Sequence, residues 1–81
     1  MKIEVQFFSW FKDAAGCGQA TEELPDGSTI ADLMARIHAR YPKLAAAARS
    51  TLIAVGFEYA ARDQVLKPGD QVSLFPPVQG G

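Results

Sequence analysis

The sequence predicts an α+β domain in which one principal helix covers one side of a mixed β-sheet. Two observations support this prediction. Strand-like segments occur as a pair at the start of the chain and as a second pair near its end, and the strongest helical pattern lies between the two pairs. Because a sheet with an apolar face must bury that face against a second layer, one helix lying across the sheet is the simplest packing.

The first strand is predicted over Lys2–Phe8. Ile3, Val5 and Phe7 occupy alternate positions, which places them together on one face of a strand. One helical turn is predicted over Trp10–Ala15, and the glycines at positions 16 and 18 should end it and turn the chain. A second strand is expected to follow over about residues 19–24.

The principal helix is predicted to begin at Thr29, whose side chain can cap the first turn together with Asp32 three residues later. Apolar residues then recur at the spacing of one helix face: Ile30, Leu33, Met34, Ile37 and Tyr41. Pro42 should end the helix. This stripe is therefore expected to lie across the sheet.

The second half of the chain continues with less regular segments. Lys43–Ser50 is rich in alanine and is predicted to form a short second helix or a helical loop. Thr51–Val55, apolar on both faces, is typical of an interior strand. A loop with Tyr59 follows, and Lys67–Asp70 has the Pro and Gly positions of a type II turn. Gln71–Phe75 is the last predicted strand.

This order of elements is that of a β-grasp, or ubiquitin-like, domain. We expect the domain to span residues 1–75 and an extended tail to span residues 76–81. A chain of 81 residues has room for one small core. With 48% hydrophobic and 21% charged residues, its composition is that of an ordinary globular protein.

Composition also argues against several classes of function. Cys17 and His38 are the sole residues of their types, so neither a disulfide framework nor a metal site is expected. The net charge is −1 and the basic residues are scattered, which disfavours nucleic-acid binding. No segment is predicted to span a membrane, and the first residues do not form a secretion signal. A cytoplasmic location is therefore expected.

Two phenylalanines do not fit the core pattern. Alternation turns Phe8 away from Phe7, and it turns Phe75 away from Leu74. If the first and last strands are neighbours, both rings lie on the face without the helix, where Tyr59 could join them in a patch that binds a partner. Alternatively, a loop covers these side chains or they are scattered surface residues.

The end of the chain, Phe75–Gly81, reads FPPVQGG. Pro76 and Pro77 lack amide donors and should end sheet pairing and stiffen the exit of the tail. Gly80 and Gly81 have no side chains to obstruct a narrow channel. Once activated, for example as an acyl-adenylate made with ATP, a terminal carboxylate could be attacked by sulfur or by an amine.

These residues give the chain a resemblance to a known family. Residues 66–81, LKPGDQVSLFPPVQGG, resemble the ending of the small subunits of molybdopterin synthase in almost every position. The opening VQFFSWFKDAAG and the helix STIADLMARIHARYP are similar to the first strand, turn and main helix of that family. The resemblance covers essentially the full chain.

The resemblance implies a sulfur carrier without an active site or bound cofactor of its own. Gly81 would be adenylated by an E1-like enzyme that uses ATP, and would then become a thiocarboxylate. The tail would enter the active site of the large subunit and donate sulfur to cyclic pyranopterin monophosphate, within a heterotetramer of two small and two large subunits. The apolar sheet face with Phe8, Tyr59 and Phe75 would bind the partner.

Other interpretations of the sequence share the same fold. Sulfur carriers of the thiamine or cysteine pathways and ubiquitin-like protein modifiers also end in Gly-Gly on a β-grasp domain. A bare binding module would leave the glycine end unexplained. An intrinsic enzyme would need a convergent nucleophile, acid and base, and the sequence offers no such constellation.

Overall fold

The computed structural model describes residues 1–77 and contains the elements that the sequence predicts, together with one further short strand. In chain order these are β1 (Lys2–Phe7), α1 (Trp10–Ala15), β2 (Gln19–Glu23), α2 (Ile30–Arg40), a 3-10 helix (Pro42–Ser50), β3 (Leu52–Val55), β4 (Glu58–Tyr59) and β5 (Gln71–Phe75). None of the helices among these residues is long and apolar enough to cross a bilayer.

The strands form one mixed sheet in the order β2-β1-β5-β3-β4. The first and last strands lie side by side at its centre and run parallel, with Val5 opposite Val72 and Phe7 opposite Leu74. The other pairs are antiparallel. A parallel pair requires a crossover connection, and α2 lies within that connection. The predicted α+β class and β-grasp architecture are confirmed.

Helix α2 begins with the predicted cap. The Thr29 hydroxyl accepts a hydrogen bond from the Asp32 amide at 3.3 Å, and the Asp32 carboxylate accepts one from the Thr29 amide at 2.9 Å. This reciprocal capping box satisfies two amides that would otherwise lack partners. The stripe of α2 faces the sheet, and Tyr41 at the helix end meets the Phe7 ring edge-on at 5.2 Å.

The core lies between α2 and one face of the sheet. Its strand residues are mainly aliphatic and come from alternate positions: Ile3, Val5, Phe7, Ile53, Val72 and Leu74. From the helices it takes Phe11, Ile30, Leu33, Met34, Ile37 and Leu44. Burying side chains of this size contributes about 1.5–3 kcal/mol each. The helix therefore closes one face of the sheet and leaves the other open.

The edge of the covered face holds a buried carboxylate. Glu22 in β2 lies opposite Ile3 and is 2% exposed. The Arg40 guanidinium at the end of α2 lies 2.7 Å from its Oε2 atom. This contact is a charge pair rather than an aligned hydrogen bond, because Oε2 has no hydrogen-bond partner among the described residues. The pair offsets part of the cost of burying the charge.

The structure differs from the predictions at several points, and β3 begins at Leu52 rather than Thr51. Strand β1 ends at Phe7, although the Phe8 amide still donates to the Leu74 carbonyl at 3.1 Å. The predicted second helix is a 3-10 helix that bends at Ala47, since its alanines offer little apolar surface to anchor a longer helix. The predicted loop around Tyr59 contains the short strand β4, which pairs with β3.

Candidate partner-binding face

The open face of the sheet carries the side chains that alternate with the core residues. The structure brings Phe8 and Phe75 together there, and their rings stack with centroids 4.6 Å apart and planes at 16°. Offset stacking of this kind favours aromatic pairs by about 0.5–1.5 kcal/mol beyond area burial. Even so, Phe8 remains 37% exposed. Its contact with Phe75 leaves apolar surface in solvent.

A groove extends from this stacked pair across the sheet. It has a volume of about 390 Å³ and is lined by Gln6, Phe8, Ala54, Gly56, Phe57, Tyr59, Gln71, Ser73 and Phe75. Tyr59 belongs to it because β4 pairs with β3, which places Tyr59 opposite Ala54. Its side chain is 76% exposed. The three residues proposed from the sequence therefore line one groove; their role in partner binding stays a prediction.

Three further apolar residues on this side of the molecule were not singled out from the sequence. Leu52 lies directly opposite Phe75 in the sheet and is exposed. Trp10 and Phe57 are exposed as well. The signal for Leu52 was ambiguous, because its strand is apolar on both faces. Trp10 is the first residue of α1 and Phe57 lies in a turn, so the alternation of a strand gives neither an orientation.

The root of the tail lies beside the same surface. Pro76 and Pro77 follow β5 directly and are half-buried. They line a second groove together with Ser9, Trp10, Leu52, Tyr59 and Phe75. Gly80 and Gly81, the predicted reactive end, lie outside the described residues. The chain therefore leaves the sheet next to its exposed aromatic side chains.

The turn that places Trp10 has a strained backbone. Ser9 has φ 56° and ψ −139°, in the region that favours glycine. The Phe11 amide donates to the Phe8 carbonyl at 3.2 Å, which closes a tight turn around Ser9 and Trp10. A residue in such a conformation costs about 1–3 kcal/mol. This strained turn lies at the rim of the second groove, which Ser9 lines together with Pro76 and Pro77.

The titratable groups with shifted pKa values, His38 and Tyr41, lie on the helix side of the sheet. Burial lowers the pKa of His38 on α2, and the positive charge of Arg62 adds to this effect. Burial raises the pKa of Tyr41, whose hydroxyl lies 3.8 Å from the Cys17 sulfur. Among residues 1–77, no group of three His, Cys, Asp or Glu side chains is placed to hold a metal ion.

Comparison with known proteins identifies the family of this domain. A model described as the ThiS family matches residues 5–81. The chain belongs to the ThiS family. The molybdopterin synthase sulfur carrier subunit of Chlamydomonas reinhardtii is 36% identical to this ThiS-family chain over 83 residues, and the match covers 100% of both proteins. The resemblance inferred from the sequence is confirmed.

Two further similar proteins are informative, one because it was solved in a complex with a second subunit and one because it is named as a modifier. A chain in the complex of subunits 1 and 2 of the molybdopterin-converting factor from Helicobacter pylori is similar over 100% of both chains, with a TM-score of 0.71 and 27% identity. Small archaeal modifier protein 3 from Haloferax volcanii is 29% identical over 92 residues, again covering 100% of both. The chain is thus similar both to a protein named as a sulfur carrier and to one named as a modifier.

Proposed function

We propose that this chain is the sulfur carrier subunit of a molybdopterin synthase and that Gly81 carries the sulfur. The observation that supports this most directly is the position of the tail root. Strand β5 leads into Pro76 and Pro77 beside the stacked pair of Phe8 and Phe75. A carrier needs a docking surface continuous with the tail that it presents, because docking then aims the tail.

In this proposal the chemistry at Gly81 begins with activation. A free α-carboxylate is ionised near neutral pH and is a poor electrophile. Its oxygen attacks the α-phosphorus of ATP in an E1-like enzyme, pyrophosphate leaves, and an acyl-adenylate forms. Sulfide from the sulfur donor then attacks the carbonyl carbon of the adenylate, and the C–O bond to AMP breaks, which leaves Gly81 as a thiocarboxylate and releases AMP. The carrier contributes the acyl group, and its partner enzymes contribute the catalytic side chains.

The tail suits delivery into a narrow site. Four residues beyond Pro77 extend at most about 13–14 Å when fully stretched. The two glycines at the end present no Cβ atoms, so they can enter a channel that would reject side chains. The thiocarboxylate of Gly81 would reach cyclic pyranopterin monophosphate in the large subunit's active site and transfer its sulfur there.

The proposal includes two successive protein partners. The E1-like enzyme would engage the carrier during activation, and the large subunit would engage it during sulfur transfer. Two small and two large subunits would form a heterotetramer. The carrier would bind no cofactor of its own, and it would work in the cytoplasm, where ATP is available to the activating enzyme.

Intact mass spectrometry tests the carrier proposal. The protein is incubated with ATP, a sulfur donor and soluble extract of its host, alongside a variant that lacks Gly81. A mass gain equal to the exchange of one oxygen for sulfur is expected in the wild type alone. No gain in the wild type, or an equal gain in the shortened variant, would reject Gly81 as the carrier of sulfur.

A protein modifier is the second candidate, favoured by the similarity to small archaeal modifier protein 3 of Haloferax volcanii. Activation would follow the same route, but a lysine amine rather than sulfur would capture the acyl group. The same incubation distinguishes the two functions. Adducts linked to lysines of other proteins, without a thiocarboxylate, would favour the modifier.

A further inference from the structure

Phe57 is the most exposed large apolar side chain among the residues that the structure describes. Its relative exposure is 106%, so it makes essentially no packing contact within the chain. Burying a phenylalanine removes a large apolar surface from water and is normally favourable. The fold therefore gains nothing from this ring.

Local structure does not call for an aromatic residue at this position either. Gly56 and Phe57 form the two-residue turn between β3 and β4, where Val55 pairs with Glu58. Gly56 has φ +61°, as the first loop residue of a type II′ hairpin requires. The second position of such turns is commonly Asn, Asp or Ser. A phenylalanine at the tip serves neither turn geometry nor core packing.

The hairpin tip is held in place. The Gly56 amide donates to the Gln71 carbonyl at 2.9 Å, and the Ala60 amide donates to the Ile53 carbonyl at 2.9 Å. These bonds tie both ends of the hairpin to the sheet. The backbone that carries Phe57 is thus fixed, so a partner that binds the ring has to order the side chain but not the hairpin.

Phe57 also belongs to the groove on the open face that begins at the stacked pair of Phe8 and Phe75. It lines the same groove as Phe8, Tyr59 and Phe75. Along β3, the distance from the level of Leu52, opposite Phe75, to the turn is about 13 Å at 3.3 Å per residue. An interface of standard size covers about 800 Å² on each partner, a patch with a radius of about 16 Å. A partner centred on Phe75 therefore reaches the tip.

We propose that Phe57 is an anchor that inserts into an apolar pocket of the synthase large subunit. The inference rests on the proposed function, since it takes the protein that receives the tail as the occupant of this groove. A protein that accepts the tail meets the surface beside the tail root, where Pro76 and Pro77 line a groove with Tyr59 and Phe75. Aromatic residues are enriched in protein interfaces, and Phe57 gives this one a further apolar contact at the hairpin tip, at the end of the groove away from the tail root.

The test measures binding to the purified large subunit from the same organism. Phe57→Ser creates the Gly-Ser pair typical of two-residue hairpins, so the melting temperature should stay unchanged. The dissociation constant should rise about 10- to 100-fold, as expected for removing a buried aromatic ring. The matched control is Val65→Ala, since Val65 is exposed and apolar but lines neither groove. It should bind like the wild type.

A second measurement locates the contact directly. Replacing Phe57 with the photoreactive p-benzoylphenylalanine should yield a cross-link to the large subunit, whereas the same group in place of Ala35 on α2 should yield none. Ala35 is exposed on the helix side. Equal cross-linking at both positions would contradict a specific contact at the hairpin tip.

The outcomes separate this inference from the proposed function. If the wild type binds and Phe57→Ser binds within twofold of it, the anchor is rejected and the carrier proposal stands. If the wild type does not bind the large subunit, the carrier proposal and the anchor are both rejected. If Phe57→Ser abolishes self-association and leaves binding to the large subunit intact, the tip belongs to a homodimer and the anchor is again rejected.

Discussion

The two faces of the sheet come from the same strands but have different composition. On the covered face, Val5, Val72 and Leu74 are fully buried under the helix. On the open face, Phe8 and Phe75 stack with apolar surface left in solvent. The fold accounts for the first set by burial. It does not account for the second, and the proposed partner-binding role is assigned to the open face for this reason.

The largest effect on stability is expected from a substitution in the core under the helix. Leu74→Ala removes a fully buried side chain and should lower the free energy of unfolding by about 2.7–5 kcal/mol, through lost burial and the cavity that remains. Urea denaturation followed by circular dichroism measures this change. A loss below 1 kcal/mol would mean that Leu74 does not belong to a tightly packed core.

A substitution at the next residue, Phe75, tests the difference between the two faces, because its side chain lies on the open face. Phe75→Ala removes a half-buried ring and its stacking on Phe8, so the free energy of unfolding should fall by less than about 2 kcal/mol. Affinity for the large subunit should fall about 10- to 100-fold in a calorimetric titration. A stability loss as large as that of Leu74→Ala, with normal affinity, would place Phe75 in the core.

A smaller effect of opposite sign is expected at the rim of the open face. Ser9→Gly relieves the strained backbone at φ 56° but adds entropy to the unfolded chain, so a net gain of about 0.5–1 kcal/mol is expected. Thermal unfolding measures it, with Ser9→Ala as the control that retains the strain and should give no gain. Equal stability of Ser9→Gly and the wild type would show that the turn is relaxed.

The smallest effect concerns the helix side and depends on pH. The pKa of His38 is lowered from its ordinary 6.5, so the unfolded chain binds the proton first as the pH falls. The contribution of His38 to stability is therefore complete above about pH 6.5 and declines below it. Between about pH 7.5 and pH 5.5, the melting temperature should fall more in the wild type than in His38→Gln. Parallel curves would contradict this.

Much of the fold could be predicted from the sequence, because its strongest signals are local. The alternation of Ile3, Val5 and Phe7 and the stripe of α2 each encode one buried face, and the Thr29 cap marks where the helix begins. The same alternation predicted that the side chains of Phe8 and Phe75 lie on the face of the sheet without the helix. Their contact required one non-local fact, the adjacency of β1 and β5, and the predicted β-grasp architecture provided it.

The remaining features depend on tertiary context that local patterns do not contain. Leu52 lies in a strand that is apolar on both faces, so alternation could not assign its side. Strand β4 has only two residues, too few for a periodic signal, and so the exposed tip with Phe57 was missed. Glu22 is polar by sequence, yet its pairing opposite Ile3 places it on the covered face, where Arg40 accompanies it.

The central position of β5 has a mechanical consequence. Hydrogen bonds hold β5 to β1 on one side and to β3 on the other, and the tail continues from its end. Tension on the tail therefore acts along the strand and loads the bonds of both ladders at once, in shear. A strand at the edge of the sheet, pulled in the same direction, would have one ladder instead of two to carry the load. A force applied to the end of β5 is therefore shared between the hydrogen bonds to β1 and those to β3.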